Sequence, residues 1–187
     1  MSEELILEVI DGIPLVLKSS SGLFSKSKLD LGTKVLLENI KIPEGKDINV
    51  IDVGCGYGPI GIFLAKKNPN LIVYMVDIEP LAIKLAKRNA EINGVKDRVI
   101  VIQSDIFEKV PKIKFKAVYS NPPLSRGKEF LQKLVIQSYE YLEKGGFIQI
   151  VVYKGEENAK ELLKKFFGNY ELIKRIKGYS ILIAVKD

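Results

Sequence analysis

Apolar residues between Leu5 and Lys18 lie on either side of Asp11-Gly12, a dipeptide that tolerates the positive φ angles of a tight primed turn, and predict a β-hairpin. Pro14 places its second strand at an edge. The next stretch, SSSGLFSKSK from Ser19 to Lys28, is small, polar and basic and reads as a surface loop. Asp30 caps a predicted helix of about ten residues through Lys34, Leu36, Leu37 and Ile40. From Ile48 onward, apolar runs alternate with segments of helical period, the pattern of a parallel sheet with helices on its faces. Strands are expected near Asn49–Asp52, Leu71–Asp77, Val99–Ser104, Ala117–Ser120 and Phe147–Tyr153. Helices are expected near Ile60–Lys67, Leu81–Asn93, Glu129–Leu142 and Glu157–Phe167. The chain closes with a predicted antiparallel hairpin, Tyr170–Ile176 and Tyr179–Val185 around Lys177-Gly178. The sum is a doubly wound α/β domain. Its sheet has seven mostly parallel strands with an antiparallel end, and a small N-terminal hairpin stands beside it.

Composition narrows this further. At 187 residues and 47% hydrophobic, the chain fits one domain that buries roughly two-thirds of its unfolded surface. Residues 1–45 supply the hairpin, basic loop and first helix, and residues 46–187 the core. There is no histidine, and Cys55 is the only cysteine, which excludes Ser-His-Asp and Cys-His catalysis, histidine metal sites and internal disulfides. No metal is expected. A lone thiol and a charged start (MSEELILEV) point to a cytoplasmic protein, and no apolar run is long enough to span a membrane. Lys and Arg (29) exceed Asp and Glu (23), for a net charge of +6, which suggests a polyanionic partner.

The richest signal is Asn49-Val50-Ile51-Asp52-Val53-Gly54-Cys55-Gly56-Tyr57-Gly58-Pro59-Ile60-Gly61. A strand ends in a carboxylate and turns through alternating glycines into a helix, so backbone can approach a ligand closely. Asp77 closes the next strand, where a carboxylate accepts hydrogen bonds from ribose hydroxyls. Asp105 follows the third strand at the same sheet edge. Gly56 to Gly61 also fits G-x-G-x-x-G, so a dinucleotide and a dehydrogenase stay in view. Asp52, however, would oppose a diphosphate and welcome a cation. A ligand with ribose, adenine and an amino-acid ammonium but no phosphate reconciles these features: S-adenosylmethionine. A P-loop is excluded, because no Gly-Lys-Ser/Thr follows at the required spacing.

These residues resemble the first motif, D-x-G-x-G-x-G, of the class I S-adenosylmethionine-dependent methyltransferases, which are Rossmann-like in fold. The resemblance implies that Asp77 binds the ribose, Ile78 flanks the adenine, and Asp105 meets the adenine amine with Ile106 beside it. It also implies that backbone around Gly54–Gly56 contacts the methionine part. Cys55 is then a small residue tolerated in the cofactor turn, and Asp52, Gly54, Gly56 and Gly58 hold the motif's fixed positions.

After the fourth strand comes Ser120-Asn121-Pro122-Pro123-Leu124. Two prolines hold this backbone extended, so the Asn121 carboxamide and the Pro122 carbonyl can face the cleft together as acceptors for a planar amino group. The segment is similar to [DNS]-P-P-[FYW], which marks transfer to adenine, cytosine, guanine N2 or glutamine nitrogens. Leu124 departs from that pattern, leaving base packing to Leu124 itself or to Phe24. Gly22-Leu23-Phe24-Ser25, Asp30-Leu31-Gly32-Thr33 and Gly127-Lys128-Glu129 extend the resemblance to the ribosomal RNA small-subunit methyltransferase C-like, guanine-N2 family and its compact archaeal relatives. That implies catalysis by Asn121, Pro122 and Pro123 on ribosomal RNA. Phe24 is placed to stack, and Lys26, Lys28, Arg126 and Lys128 to meet phosphate. Adenine N6, a protein glutamine amide and a non-catalytic RNA-binding role on the same fold are the alternatives. The chain is expected to be a monomer or homodimer.

Overall fold

The computed structural model describes residues 2–21 and 28–187. Asp11 and Gly12 adopt left-handed angles (φ 48° and 74°), and the turn they make joins β1 (Glu3–Ile10) to β2 (Ile13–Ser20) in an antiparallel pair. The inner face of this hairpin buries Ile6, Ile10, Leu15 and Leu17 in the main core. Helix α1 (Leu31–Glu38) follows, then β3 (Ile48–Val53), α2 (Pro59–Lys67), β4 (Leu71–Asp77), α3 (Pro80–Ile92), β5 (Val99–Gln103) and β6 (Phe115–Ser120). The remainder is α4 (Gly127–Tyr141), β7 (Leu142–Tyr153), α5 (Glu156–Phe167), β8 (Glu171–Ile176) and β9 (Tyr179–Val185).

Seven strands form one sheet in the order β5-β4-β3-β6-β7-β9-β8, parallel through β7 and antiparallel at β9 and β8. Alternate residues feed opposite faces: Val50 packs with α1, α2, α3 and the hairpin, while Ile51 packs with α4 and α5. Burial on both faces is why these strands are nearly continuous apolar runs. The chain winds outward from β3 in one direction and from β6 in the other. A crevice therefore opens at their carboxyl ends, where connections leave to opposite sides. The buried Ser120 hydroxyl donates to the Val53 carbonyl (2.7 Å) and ties the two strands together at that point.

Element bounds depart from expectation where tertiary partners intervene. Strand β7 begins at Leu142, ahead of the expected Phe147, because Lys144-Gly145-Gly146 is drawn into the sheet by the end of the chain. Gly145 N–H donates to Lys186 O (2.7 Å) and Lys186 N–H to Gly146 O (2.8 Å). A Cβ at Gly146 would stand 2.9 Å from the Lys116 carbonyl, so only glycine permits that approach. Helix α1 ends at Glu38, short of Ile40, because Gln149 of β7 captures the backbone beyond it. Its side chain accepts from Lys41 N–H (2.8 Å) and donates to Asn39 O (2.9 Å).

The hairpin is fastened to the core by two amides one helical turn apart, Asn89 on α3 and Asn93 at its C-terminal cap. Asn89 accepts from Lys18 N–H (2.8 Å) and donates to Lys18 O (2.9 Å), and Asn93 repeats this at Val16 (3.1 and 2.8 Å). The two side chains act as a short strand paired to β2. Asn89 is fully buried and also donates to the Tyr57 carbonyl in the glycine turn (2.8 Å). Asn89→Ala strands these backbone groups away from water and is expected to cost about 2–3 kcal/mol, measurable by urea unfolding. A loss within a few tenths of a kcal/mol would show that the hairpin is held by apolar contact alone.

Candidate active site

A cleft of about 590 Å³ lies at the carboxyl edge, where β3 and β6 part. On one side stands the turn between β3 and α2. Gly54 and Cys55 donate their N–H groups to Val76 O (2.8 and 2.9 Å), which stitches the turn to β4. Gly58 holds φ 100° as the cap of α2, with Pro59 beginning the helix. A side chain at Gly61 would collide with Met75, so this glycine is what lets α2 lie against the sheet.

Asp77 reaches across from the end of β4. Its Oδ2 accepts from Gly56 N–H (2.8 Å) and its Oδ1 from Glu79 N–H (3.0 Å). Each oxygen keeps a lone pair for a vicinal diol. The same contact occupies the turn amide that a diphosphate would need and sets a carboxylate beside it. A Cβ at Gly56 would meet nothing within 4 Å, so the turn presents bare backbone to open space. Ribose against Asp77, with a cationic amino-acid arm free of phosphate over the glycine turn, fits S-adenosylmethionine. A dinucleotide does not.

Asp52 plays a different part from the one expected. It is fully buried beneath the turn and does not reach the cleft. Oδ2 accepts from Gly61 N–H at 3.3 Å, and Oδ1 has no partner among the described residues. Burial pushes its carboxyl up to about 8, against the lowering effect of the Gly61 N–H, and the nearby Asp77 raises it further. It is thus largely uncharged at neutral pH, and Asp77 rather than Asp52 is the carboxylate that opposes a diphosphate. Cys55 lines the cleft but is buried, and burial raises its thiol well above the ordinary range, so it is unreactive.

Ile78 and Ile106 also line the cleft, with Ile106 turned inward by a left-handed backbone (φ 54°). Asp105 does not line it. Its Oδ1 accepts from Arg126 (3.0 Å), and the guanidinium lies 4.7 Å over the Phe130 ring. Arg126 itself lines the cleft, with its guanidinium paired to Asp105 and over Phe130, so a phosphate there would compete with Asp105. Leu124 lines the cleft and is 64% exposed. Lys128 lies on the far side of the Asn-Pro-Pro turn in a neighbouring cleft, and Lys28 is exposed and lines neither. Phe24 and Lys26 lie outside the described residues.

Asn121, Pro122 and Pro123 form the opposite wall. The Asn121 amide donates to Asp30 Oδ2 (3.0 Å) and Thr33 Oγ1 (3.1 Å), and Asp30 Oδ2 also accepts from Thr33 N–H (3.1 Å) as the cap of α1. Both amide hydrogens are spent, and Oδ1 has no hydrogen-bond partner among the described residues. Asp30 read as a helix cap and as part of the motif that carries the family resemblance; its bond to Asn121 has no local signal, because the partner is 91 positions away. Tyr179, outside the sequence expectations, closes the cluster. A Cβ at Gly32 would stand 2.7 Å from its ring, and burial raises its hydroxyl's pKa.

The model of the methyltransferase small domain family matches residues 14–183. The chain belongs to that family. S-adenosylmethionine-dependent methyl transfer is the enzyme class the family carries, as the residues led one to expect. Uncharacterized protein YbxB of Bacillus subtilis is 36% identical over 171 residues, covering 90% of this chain and 84% of its own. Ribosomal RNA small subunit methyltransferase C of Vibrio vulnificus is 33% identical over 181 residues, covering 95% of this chain. The 16S rRNA N2 G1207 methyltransferase (RsmC) of T. thermophilus, solved in complex with AdoMet and guanosine, superimposes on 98% of this chain with a TM-score of 0.85 at 24% identity, a likeness of fold. This family member spans about half the length of those two ribosomal RNA methyltransferases (51% and 50%).

Asp52 makes stability depend on pH in a definite direction. Between its ordinary value of 3.8 and about 8, the unfolded chain releases a proton that the folded chain retains, so stability falls as pH rises through that window. The loss approaches about 1.4 kcal/mol per pH unit and stops above the folded value. Asp52→Asn keeps an acceptor for Gly61 and abolishes this loss, so the wild type should weaken relative to the variant between about pH 5 and 8 in urea titrations. Parallel pH profiles would contradict the buried, protonated state.

Proposed function

We propose that this chain methylates an exocyclic amine, guanine N2 of ribosomal RNA, with S-adenosylmethionine as donor. The observation that carries it is the held amide of Asn121, whose Oδ1, unpartnered among the described residues, is an acceptor at the wall facing the glycine turn. When bound, the cofactor supplies a sulfonium methyl that is already electrophilic. The chain's task is then to bind and orient. Asp77 takes the ribose hydroxyls, and Ile78 and Ile106 enclose the adenine. Asn121 Oδ1 and the Pro122 carbonyl each accept one hydrogen of the incoming amine. That pairing draws the nitrogen lone pair out of conjugation and aims it at the methyl. As the C–N bond formed, the broken C–S bond would leave its pair on sulfur, and the acidic N-methylated nitrogen would then give its proton to water, so no histidine is required. Asp30 and Thr33 are positioning residues that hold Asn121 in its accepting orientation.

Guanine is favoured over the other planar nitrogens by the relatives that align with nearly the whole chain. A basic protein, whose charge suits RNA, supports the same choice. The target base must be unpaired or extruded to reach the Asn-Pro-Pro wall.

Labelled S-adenosylmethionine incubated with total RNA, DNA and protein from cells lacking the gene tests the assignment. Label is expected in the RNA fraction, and label confined to DNA or protein would overturn it. In the same assay Asn121→Ala is expected to lower turnover by at least about 100-fold while cofactor affinity stays within a few-fold. Retained turnover would remove Asn121 from the chemistry.

A further inference from the structure

The Asn-Pro-Pro wall has a second cleft behind it, of about 800 Å³, that shares Pro122, Pro123, Leu124, Tyr153 and Tyr179 with the first. It runs along the carboxyl edge over β7, β9 and β8, away from the glycine turn. Three exposed lysines from three separate elements meet there: Lys128 at the start of α4, Lys154 just after β7, and Lys177 in the turn between β8 and β9.

Two of these are held in an unusual way. Lys154 (φ 51°) and Lys177 (φ 49°) both occupy the left-handed region, which costs a residue with a side chain about 1 kcal/mol and is usually given to glycine. Lys154 N–H donates to Gly178 O (2.8 Å), so one hydrogen bond fixes the spacing of the two strained turns. The Tyr153 and Tyr179 rings lie between the clefts with centroids 4.9 Å apart, and Lys154 Nζ sits 5.4 Å over Tyr153.

The carboxylates nearby do not cancel this charge. Glu156 is gripped by Arg175, Lys160 and the Ser180 hydroxyl, and Glu157 lies 3.4 Å from Lys160. Lys128, Lys154 and Lys177 have no ion pair with any carboxylate among the described residues. A guanosine within an RNA strand brings phosphodiesters on both sides, and the second cleft adjoins the first across the shared Pro122, Pro123 and Leu124.

We propose that the second cleft holds the RNA backbone flanking the methylated nucleotide, with Lys128, Lys154 and Lys177 on the phosphates and the Tyr153–Tyr179 pair against the adjoining sugar or base. The proposal rests on RNA being the acceptor. It gives the enzyme a means of preferring a strand to a free nucleoside that does not depend on the Asn121 contacts.

The test measures binding of a short fluorescein-labelled single-stranded RNA by fluorescence anisotropy across a salt series, for wild type and for K128Q/K154Q/K177Q. S-adenosylmethionine affinity and unfolding midpoint are followed alongside to confirm an intact fold. The triple variant is expected to bind at least about tenfold more weakly at 0.1 M salt, with the slope of log K against log salt shallower by about 0.7 for each lysine that meets a phosphate. If substitution at the two left-handed positions disrupts folding, K128Q alone is read, with a slope shallower by about 0.7. Unchanged affinity and slope in a folded variant, with wild type binding RNA, would overturn the cleft assignment and leave the RNA acceptor standing. A wild type that binds no RNA would overturn both.

Discussion

The pair of hydrogen bonds that Asn121 donates to Asp30 and Thr33 joins the two parts of the chain at the point where chemistry is proposed. Asn121 belongs to the sheet, at the end of β6; Asp30 and Thr33 belong to the N-terminal segment. The amide is directed only if that segment is seated, and it is seated by Asn89 and Asn93 gripping β2 as well as by apolar burial. Asn89 also holds the Tyr57 carbonyl, so one buried side chain couples the hairpin to the cofactor turn. The N-terminal residues thus form part of the site's framework, where from the sequence alone they look like an appendage.

Charge at the cofactor turn follows from burial. Two aspartates stand near each other, and the structure separates their roles. Asp52 is sealed from water and holds a proton, while Asp77 is half-buried and keeps backbone donors on both oxygens. Desolvation makes the first a structural acceptor for the helix start, and the second stays available to a diol. The use of the Gly56 amide by Asp77 explains why a G-x-G-x-x-G spacing here does not make a diphosphate site.

Much of this was legible in the sequence because local and global signals agree. The two-state rhythm of apolar runs, Asp11-Gly12, Pro59 at the start of α2 and the spacing of Asp52, Gly54, Gly56 and Gly58 lead to the observed sheet and to the cleft at its edge. What escaped is long-range. Nothing near Asp30 announces its bond to Asn121, nothing near Arg126 announces that Asp105 will claim it, and the strand expected from Phe147 starts five residues earlier because Lys186 pairs with Gly145 and Gly146. The burial of Asp52 also could not be read, since its spacing is the same whether the carboxylate faces ligand or core.

A protein without histidine and with one inert thiol can carry out alkyl transfer because the electrophile arrives activated and the nucleophile needs only orientation. The account stands or falls on which atom receives the methyl. Mass spectrometry of nucleosides from small-subunit ribosomal RNA, prepared from cells with and without the gene, measures this directly. N2-methylguanosine is expected to fall in the strain lacking the gene and to return when the gene is restored. An unchanged level of N2-methylguanosine, with loss of a different methylated nucleoside or of a methylated protein amide, would contradict it.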